Sequence, residues 1–193
     1  MSRKTIVHRA RLQVAALALA TAGTALPAAA QACDSMPSWI QFACNRADQI
    51  WSTGNDDLYV TGYAWHNRSA YSADKIKSFR EESWGGGYGR SLYDSDGDWH
   101  GLYGMAFLDS HGHVEPIAGY GYQSIGRVGN NLRFGIGYTV FLTARPDIFH
   151  YIPFPGVLPL ASIGYDKATF YATYIPGGSG NGNVLFMFGK WSF

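Results

Sequence analysis

Residues 131–143, "NLRFGIGYTVFLT", alternate with a period of two from Phe134 on. Phe134, Ile136, Tyr138, Val140 and Leu142 fall on one side; Gly135, Gly137, Thr139, Phe141 and Thr143 fall on the other. Successive side chains of a strand point to opposite faces, so this stretch predicts a strand with one large apolar face and one face that leaves room. Seven more strand-like runs lie near 58–67, 85–93, 98–108, 113–125, 157–165, 168–175 and 183–193. Turn signals separate them, among them "DSDGD" (94–98), "GRVGNN" (126–131), "YDK" (165–167) and "PGGSGNGN" (176–183). An even count of strands lets an antiparallel sheet close on itself and remove its edges.

Composition indicates what surrounds the sheet. The chain is 47% hydrophobic and 16% aromatic, with 24 glycines and only 15% charged residues. Beyond residue 32 no run is long enough for a spanning helix. Such figures suit a membrane barrel whose strands of about 10 residues alternate between lipid and lumen, with a secreted β-sandwich as the soluble competitor. The last run, "GNVLFMFGKWSF", sets Leu185, Met187, Trp191 and Phe193 on one face. That edge would aggregate in water and is at home in lipid. In "PSWIQFACNRADQIW" (37–51), Trp39, Phe42, Ala43, Ile50 and Trp51 recur at helical spacing opposite Asn45, Arg46, Asp48 and Gln49. This predicts a short amphipathic helix over about 37–52, of the kind that lies in a membrane interface.

The expected fold is therefore all-β: an eight-stranded antiparallel transmembrane β-barrel over about 58–193, preceded by that helix, in a single domain spanning 33–193. Residues 1–32 read as an export signal. Arg3, Lys4, Arg9 and Arg11 precede a small-residue apolar core, and Ala30-Gln31-Ala32 fits a cleavage site. Cys33 would then lead the mature chain. In an oxidising compartment it could pair with Cys44, the one other cysteine, a matter that geometry decides. The net charge of +1 and the lack of a basic stripe argue against a nucleic-acid partner.

Strand parity locates the polar residues. With the N-terminus and Phe193 at one end of the barrel, the connection 68–84 and the turn Asp109–His113 both lie at the other. His66, at the far end of strand one, shares that rim with Asp109 and Ser110. Alternation in strand four puts Ile117, Gly119 and Gly121 opposite Tyr120 and Tyr122. With the glycines inward, the lumen is expected to be apolar and to have space for one hydrocarbon chain. A histidine near neutral pKa can deprotonate a hydroxyl, an aspartate can orient it, and a serine can act as nucleophile or oxyanion donor. Direct transfer and an acyl-serine route are both open. His111, His113 and Glu115 have H-x-H spacing, but a rim position is ordinary for such residues, and no metal or other cofactor is expected.

"LYVTGYAWHNRSAY", "WGGGYG", "WHGLYGMAFLDSHGHVEPIAGYGY", "YIPFPGVLPLASIGY" and "TYIPGGSGNGNV", in this order, closely resemble the lipid A palmitoyltransferases of Gram-negative outer membranes, the PagP family. The resemblance runs from about Trp39 to Phe193 and implies the same barrel-plus-helix fold, located in the outer membrane. It further implies transfer of a palmitoyl chain from the sn-1 position of a glycerophospholipid to a hydroxyl on a lipid A acyl chain, by a monomer or homodimer. On this resemblance the catalytic residues are His66, Asp109 and Ser110. Gly121 floors an acyl-measuring cavity, Met105 belongs to the acyl pocket, and Lys75 takes part in lipopolysaccharide recognition. The competing class is a non-enzymatic small barrel, an adhesin or structural protein; a soluble lipocalin-like barrel is a third.

The sequence departs from the family at three places. Prolines common near the starts of strands one and two, thought to leave a gap in strand pairing for phospholipid entry, are replaced by Thr61 and Ser83. The second gap, between strands six and seven, keeps Pro159 and Pro176. A tyrosine of the last outer loop is replaced by Ser179. The two lateral gates are accordingly expected to differ in strength.

Overall fold

A computed structural model of the chain describes residues 33–193; the expected export signal lies outside them. Two compact units divide near Asn45. In the first, Cys33 and Cys44 form a disulfide, with Cα atoms 5.6 Å apart. Helix α1 (Ser38–Thr53) carries the expected amphipathic pattern, with Ile50 buried and Trp51 exposed.

The second unit is a closed antiparallel barrel of eight strands in sequential order. They are β1 (Asn55–His66), β2 (Glu82–Tyr93), β3 (Trp99–Leu108), β4 (Val114–Val128), β5 (Leu132–Thr143), β6 (Phe154–Tyr165), β7 (Ala168–Ile175) and β8 (Val184–Ser192). A six-residue helix, α2 (Ala73–Ser78), sits in the β1–β2 connection. β1 starts three residues before the expected boundary. Asn55, Asp56 and Asp57 pair with Ser91, Arg90 and Gly89 of β2, and Asp57 points inward.

The exterior holds large apolar residues that alternation assigned to lipid, Phe134, Ile136, Leu142 and Trp191, and with them Leu58, Val60, Trp84 and Val157, all exposed. β8 pairs with β1 and closes the sheet, and such closure is what a hydrocarbon surround requires of a sheet.

A single irregularity in β1 decides where His66 points. Asp57, Tyr59 and Thr61 face inward, so strict alternation would turn Ala64 and His66 toward lipid. Between Thr61 and Tyr63 the register against β8 slips by one residue. Such a bulge flips every later side chain to the other face, and Ala64 and His66 are buried inside. The same slip breaks the β1–β2 ladder between Thr61–Gly85 and Tyr63–Glu82. The Thr61 hydroxyl bridges the break by donating to the Ser83 carbonyl at 2.6 Å. Loss of the two family prolines thus leaves the pairing interrupted, now with a side-chain tie across it. On the other side, the β6–β7 ladder stops at Leu160–Thr173. Pro159 follows, and its carbonyl accepts from the Thr173 hydroxyl at 2.7 Å. Residues 154–159 of β6 remain paired with β5 and unpaired with β7.

The lumen corrects one expectation, that of an apolar interior throughout. Near the start of β1 and the end of β8 it holds a polar layer. Lys190 donates to both oxygens of Asp57 at 3.1 Å and to Ser91 Oγ at 3.0 Å, and the Ser192 hydroxyl donates to Asp57 at 2.6 Å. Gln123 accepts from Ser162 at 2.7 Å and donates to the Leu160 carbonyl at 3.0 Å. Buried charges are tolerated when paired and hydrogen-bonded in this way. Above this layer the interior is aromatic and aliphatic.

Candidate active site

The β3–β4 turn is built by its aspartate. Asp109 opens the turn, and its carbonyl accepts from the Gly112 N–H at 3.0 Å. Gly112 has φ +81°, the left-handed geometry that closes three-residue hairpins. The Asp109 side chain turns back on its own loop: Oδ1 accepts from the backbone N–H of His111 and of His113, each at 2.8 Å. An aspartate at the first turn position commonly satisfies nearby backbone donors in this way.

The Asp109 carboxylate makes no contact with His66; its second oxygen is buried without a hydrogen bond, 3.8 Å from Arg145 Nη2. Asp109 shapes the turn that presents Ser110. Asp109→Asn, which keeps the turn acceptor, is expected to retain activity within about tenfold, whereas loss of a true orienting aspartate by this change costs about 10⁴-fold. Asp109→Ala removes the acceptor and is expected to cost more than Asn, as turnover of the two purified variants would show.

His66 meets Ser110 directly, with Nε2 2.9 Å from the serine Oγ. Its partner on the other ring nitrogen is Glu81, which the sequence reading missed. Glu81 Oε1 lies 3.3 Å from His66 Nδ1 and accepts the His66 backbone N–H at 3.0 Å. Arg68 grips Glu81 with two hydrogen bonds, 2.6 and 2.7 Å, and the Tyr63 hydroxyl donates to it at 2.7 Å. These donors, the Arg68 guanidinium foremost, hold the Glu81 carboxyl down at about 2 against the opposing effect of partial burial. Nothing in the spacing of "FREESW" separates Glu81 from Glu82.

Aromatic rings complete the rim. Phe79 stacks on the His66 imidazole with centroids 4.3 Å apart, and Tyr71 meets both rings edge-on. The β3–β4 turn is fastened alongside by the Arg80 N–H, which donates to the Ser110 carbonyl at 2.9 Å. Lys75, from α2, reaches the 176–183 loop and donates to the Gly180 carbonyl at 2.6 Å, with its ammonium 5.7 Å from the Tyr71 ring. The Tyr71 hydroxyl donates to the Gly182 carbonyl. His111 packs its ring edge against Phe79, while His113 lies 3.7 Å from Asp109 Oδ2.

Within the barrel lies a narrow apolar cavity of about 40 Å³, whose lining includes Met105, Ile117, Phe141, Leu158, Phe186 and Phe188. Trp99 and Tyr171 lie across its lower part, 5.6 Å apart, and the Lys190 ammonium is 5.2 Å from the indole. Gly121 is where the indole rests. A Cβ added there would come within 2.7 Å of the Trp99 ring, and one at Gly101 within 2.4 Å. The glycine expected to floor the cavity is thus the seat of the side chain that forms the floor. Met105 also lines the cavity.

A closed barrel with a lipid-suited exterior, an apolar cavity in its lumen and a histidine–serine pair on the rim defines a class: β-barrel membrane enzymes equipped for acyl transfer. Within that class the chain belongs to the PagP family, whose model, described as "Antimicrobial peptide resistance and lipid A acylation protein PagP", matches residues 46–190. A protein named lipid A acyltransferase PagP from Bordetella pertussis (strain Tohama I) is 68% identical over 168 residues, covering 87% of this chain and 92% of the relative. Relatives of the same name from Legionella longbeachae and Legionella pneumophila are 50% and 48% identical over 152 and 158 residues. These cover 78% and 82% of this chain, and 66% and 84% of the relatives.

Proposed function

We propose that this protein is a lipid A acyltransferase of the Gram-negative outer membrane that moves a palmitoyl chain from the sn-1 position of a glycerophospholipid to a hydroxyl on a lipid A acyl chain. The observation that carries the reading is the 2.9 Å contact between His66 Nε2 and Ser110 Oγ on the rim of a barrel with an apolar interior. Lipid A lies in the outer leaflet, so the rim bearing these residues faces outward and the chain termini face the periplasm.

The chemistry follows from the geometry. Glu81 is ionised and can only accept, so the proton of a neutral His66 sits on Nδ1 and Nε2 offers its lone pair to the Ser110 hydroxyl. His66 takes the Ser110 proton as Oγ attacks the donor's ester carbonyl. The imidazolium then returns a proton to the leaving lysophospholipid alkoxide, leaving an acyl-serine. The lipid A hydroxyl next loses its proton to Nε2 and attacks that ester, and Ser110 recovers its hydrogen. A cavity of this width admits a long chain as neighbouring side chains move aside, and the unbranched, flexible Met105 is suited to yielding. The interrupted ladders beside Thr61 and at Pro159–Pro176 offer two lateral routes from the bilayer. Lys75, on the same rim, supplies a cation toward lipid A phosphates.

Purified protein supplied with lipid A and phospholipid labelled in one chain tests the donor assignment. Label from the sn-1 chain is expected in lipid A. Equal label from the sn-2 chain would refute the positional claim.

A further inference from the structure

We infer that Glu81 is the positioning carboxylate of the catalytic base, so that the working unit is Ser110–His66–Glu81. The inference rests on the reading of His66 as base, and deepens it by naming the group that sets its tautomer and plane.

Four observations converge. Glu81 Oε1 holds His66 at two points, the backbone N–H at 3.0 Å and Nδ1 at 3.3 Å, which ties the ring to the end of β1. Glu81 is itself fixed by the two-pronged Arg68 contact and by Tyr63, so the acceptor is placed before substrate arrives. The Ala64 N–H donates to the Glu81 carbonyl at 2.8 Å, coupling Glu81 to the same post-bulge segment that turns His66 inward. Finally, Asp109 faces its own turn, which leaves Glu81 as the one carboxylate recorded on the imidazole among the described residues. Phe79, stacked on the ring, limits rotation in the other direction. The Arg68 pairing alone would make Glu81 a surface tether; the Nδ1 contact, aligned with Nε2 toward Ser110, makes it part of the reaction centre.

The charged and titratable groups around the ring are Glu81, Arg68 and Tyr71 from the β1–β2 connection, and Asp109 and His111 from the β3–β4 turn. A carboxylate beside the imidazole favours its protonated form, so removing it lowers the His66 pKa; removing the Arg68 cation raises it. Glu81→Gln keeps a side chain of the same size and loses the charge. It is expected to lower kcat at least about tenfold with little change in donor KM, and to move the acid limb of the kcat/KM pH profile to lower pH. Glu81→Asp, which keeps the charge, is expected to leave that limb in place with a smaller fall in kcat. Arg68→Gln is expected to move the limb to higher pH. Heat-modifiable gel migration verifies that each variant is a folded barrel.

A merely structural ion pair would make Glu81→Gln and Arg68→Gln alike in their pH profiles. An unmoved limb in Glu81→Gln, or limbs shifted in the same direction in both, would overturn the inference. Failure of the underlying function reading looks different: an inactive wild type, or an active His66→Ala.

Discussion

His66→Ala, assayed as purified folded barrel, is expected to lose acyl transfer by at least about three orders of magnitude, since base catalysis typically contributes 10²–10⁴-fold and the serine loses its activator as well. Ser110→Ala is expected to fall by a similar factor, and the double variant to be no worse than the poorer single one. That non-additivity is the signature of residues that act as one unit. The two side chains touch at 2.9 Å, so either deletion removes the same step. Circular dichroism and gel migration should be unchanged, because both groups sit on the rim, outside the aromatic layer that fills the barrel. Full additivity of the two losses would mean that the hydrogen bond is not the route by which the proton moves.

Gly121→Met is expected to shorten the transferred chain. The Trp99 indole occupies the space a side chain at position 121 would need, approaching to 2.7 Å even of a bare Cβ. Below the indole the polar layer of Lys190 and Asp57 blocks retreat, so a bulky residue drives the ring toward the cavity. Each methylene denied burial costs about 0.8 kcal/mol. A chain overhanging by about four carbons therefore loses about 3 kcal/mol, roughly two orders of magnitude in kcat/KM. A panel of donors of graded chain length, read by mass spectrometry of the product, should show the optimum moving to shorter chains while the best rate stays comparable. An unchanged optimum would detach Gly121 and Trp99 from length selection.

How far the sequence carried these conclusions differs from element to element. β4 and β5 were legible because their alternation is unbroken, and parity correctly placed His66, Asp109 and Ser110 at one end of the barrel. The inward turn of His66 was not legible. It depends on a one-residue slip between Thr61 and Tyr63, and a strict period of two continued past Gly62 points His66 at lipid. The polar floor was partly legible: Lys190 falls on the opposite face from Trp191, which puts a charge inside, yet its partner Asp57 lies before the expected start of strand one. Glu81 carries no sequence signal at all. Its role arises from a loop that folds back along β1, and local pattern does not encode which of two adjacent glutamates meets a histidine fifteen residues earlier in the chain. Asp109 is the reverse case, a residue conspicuous beside Ser110 whose carboxylate hydrogen-bonds its own turn.

Acylation of lipid A by this barrel through His66 and Ser110 is checked by mass spectrometry of lipid A from cells that lack acyl transfer of this kind and carry the wild-type gene, the His66→Ala variant or an empty vector. Wild type is expected to add a lipid A species heavier by one palmitoyl group, absent from both other strains although the variant is present as folded barrel. The same heavier species in the His66→Ala strain, or its absence from all three, would contradict the account.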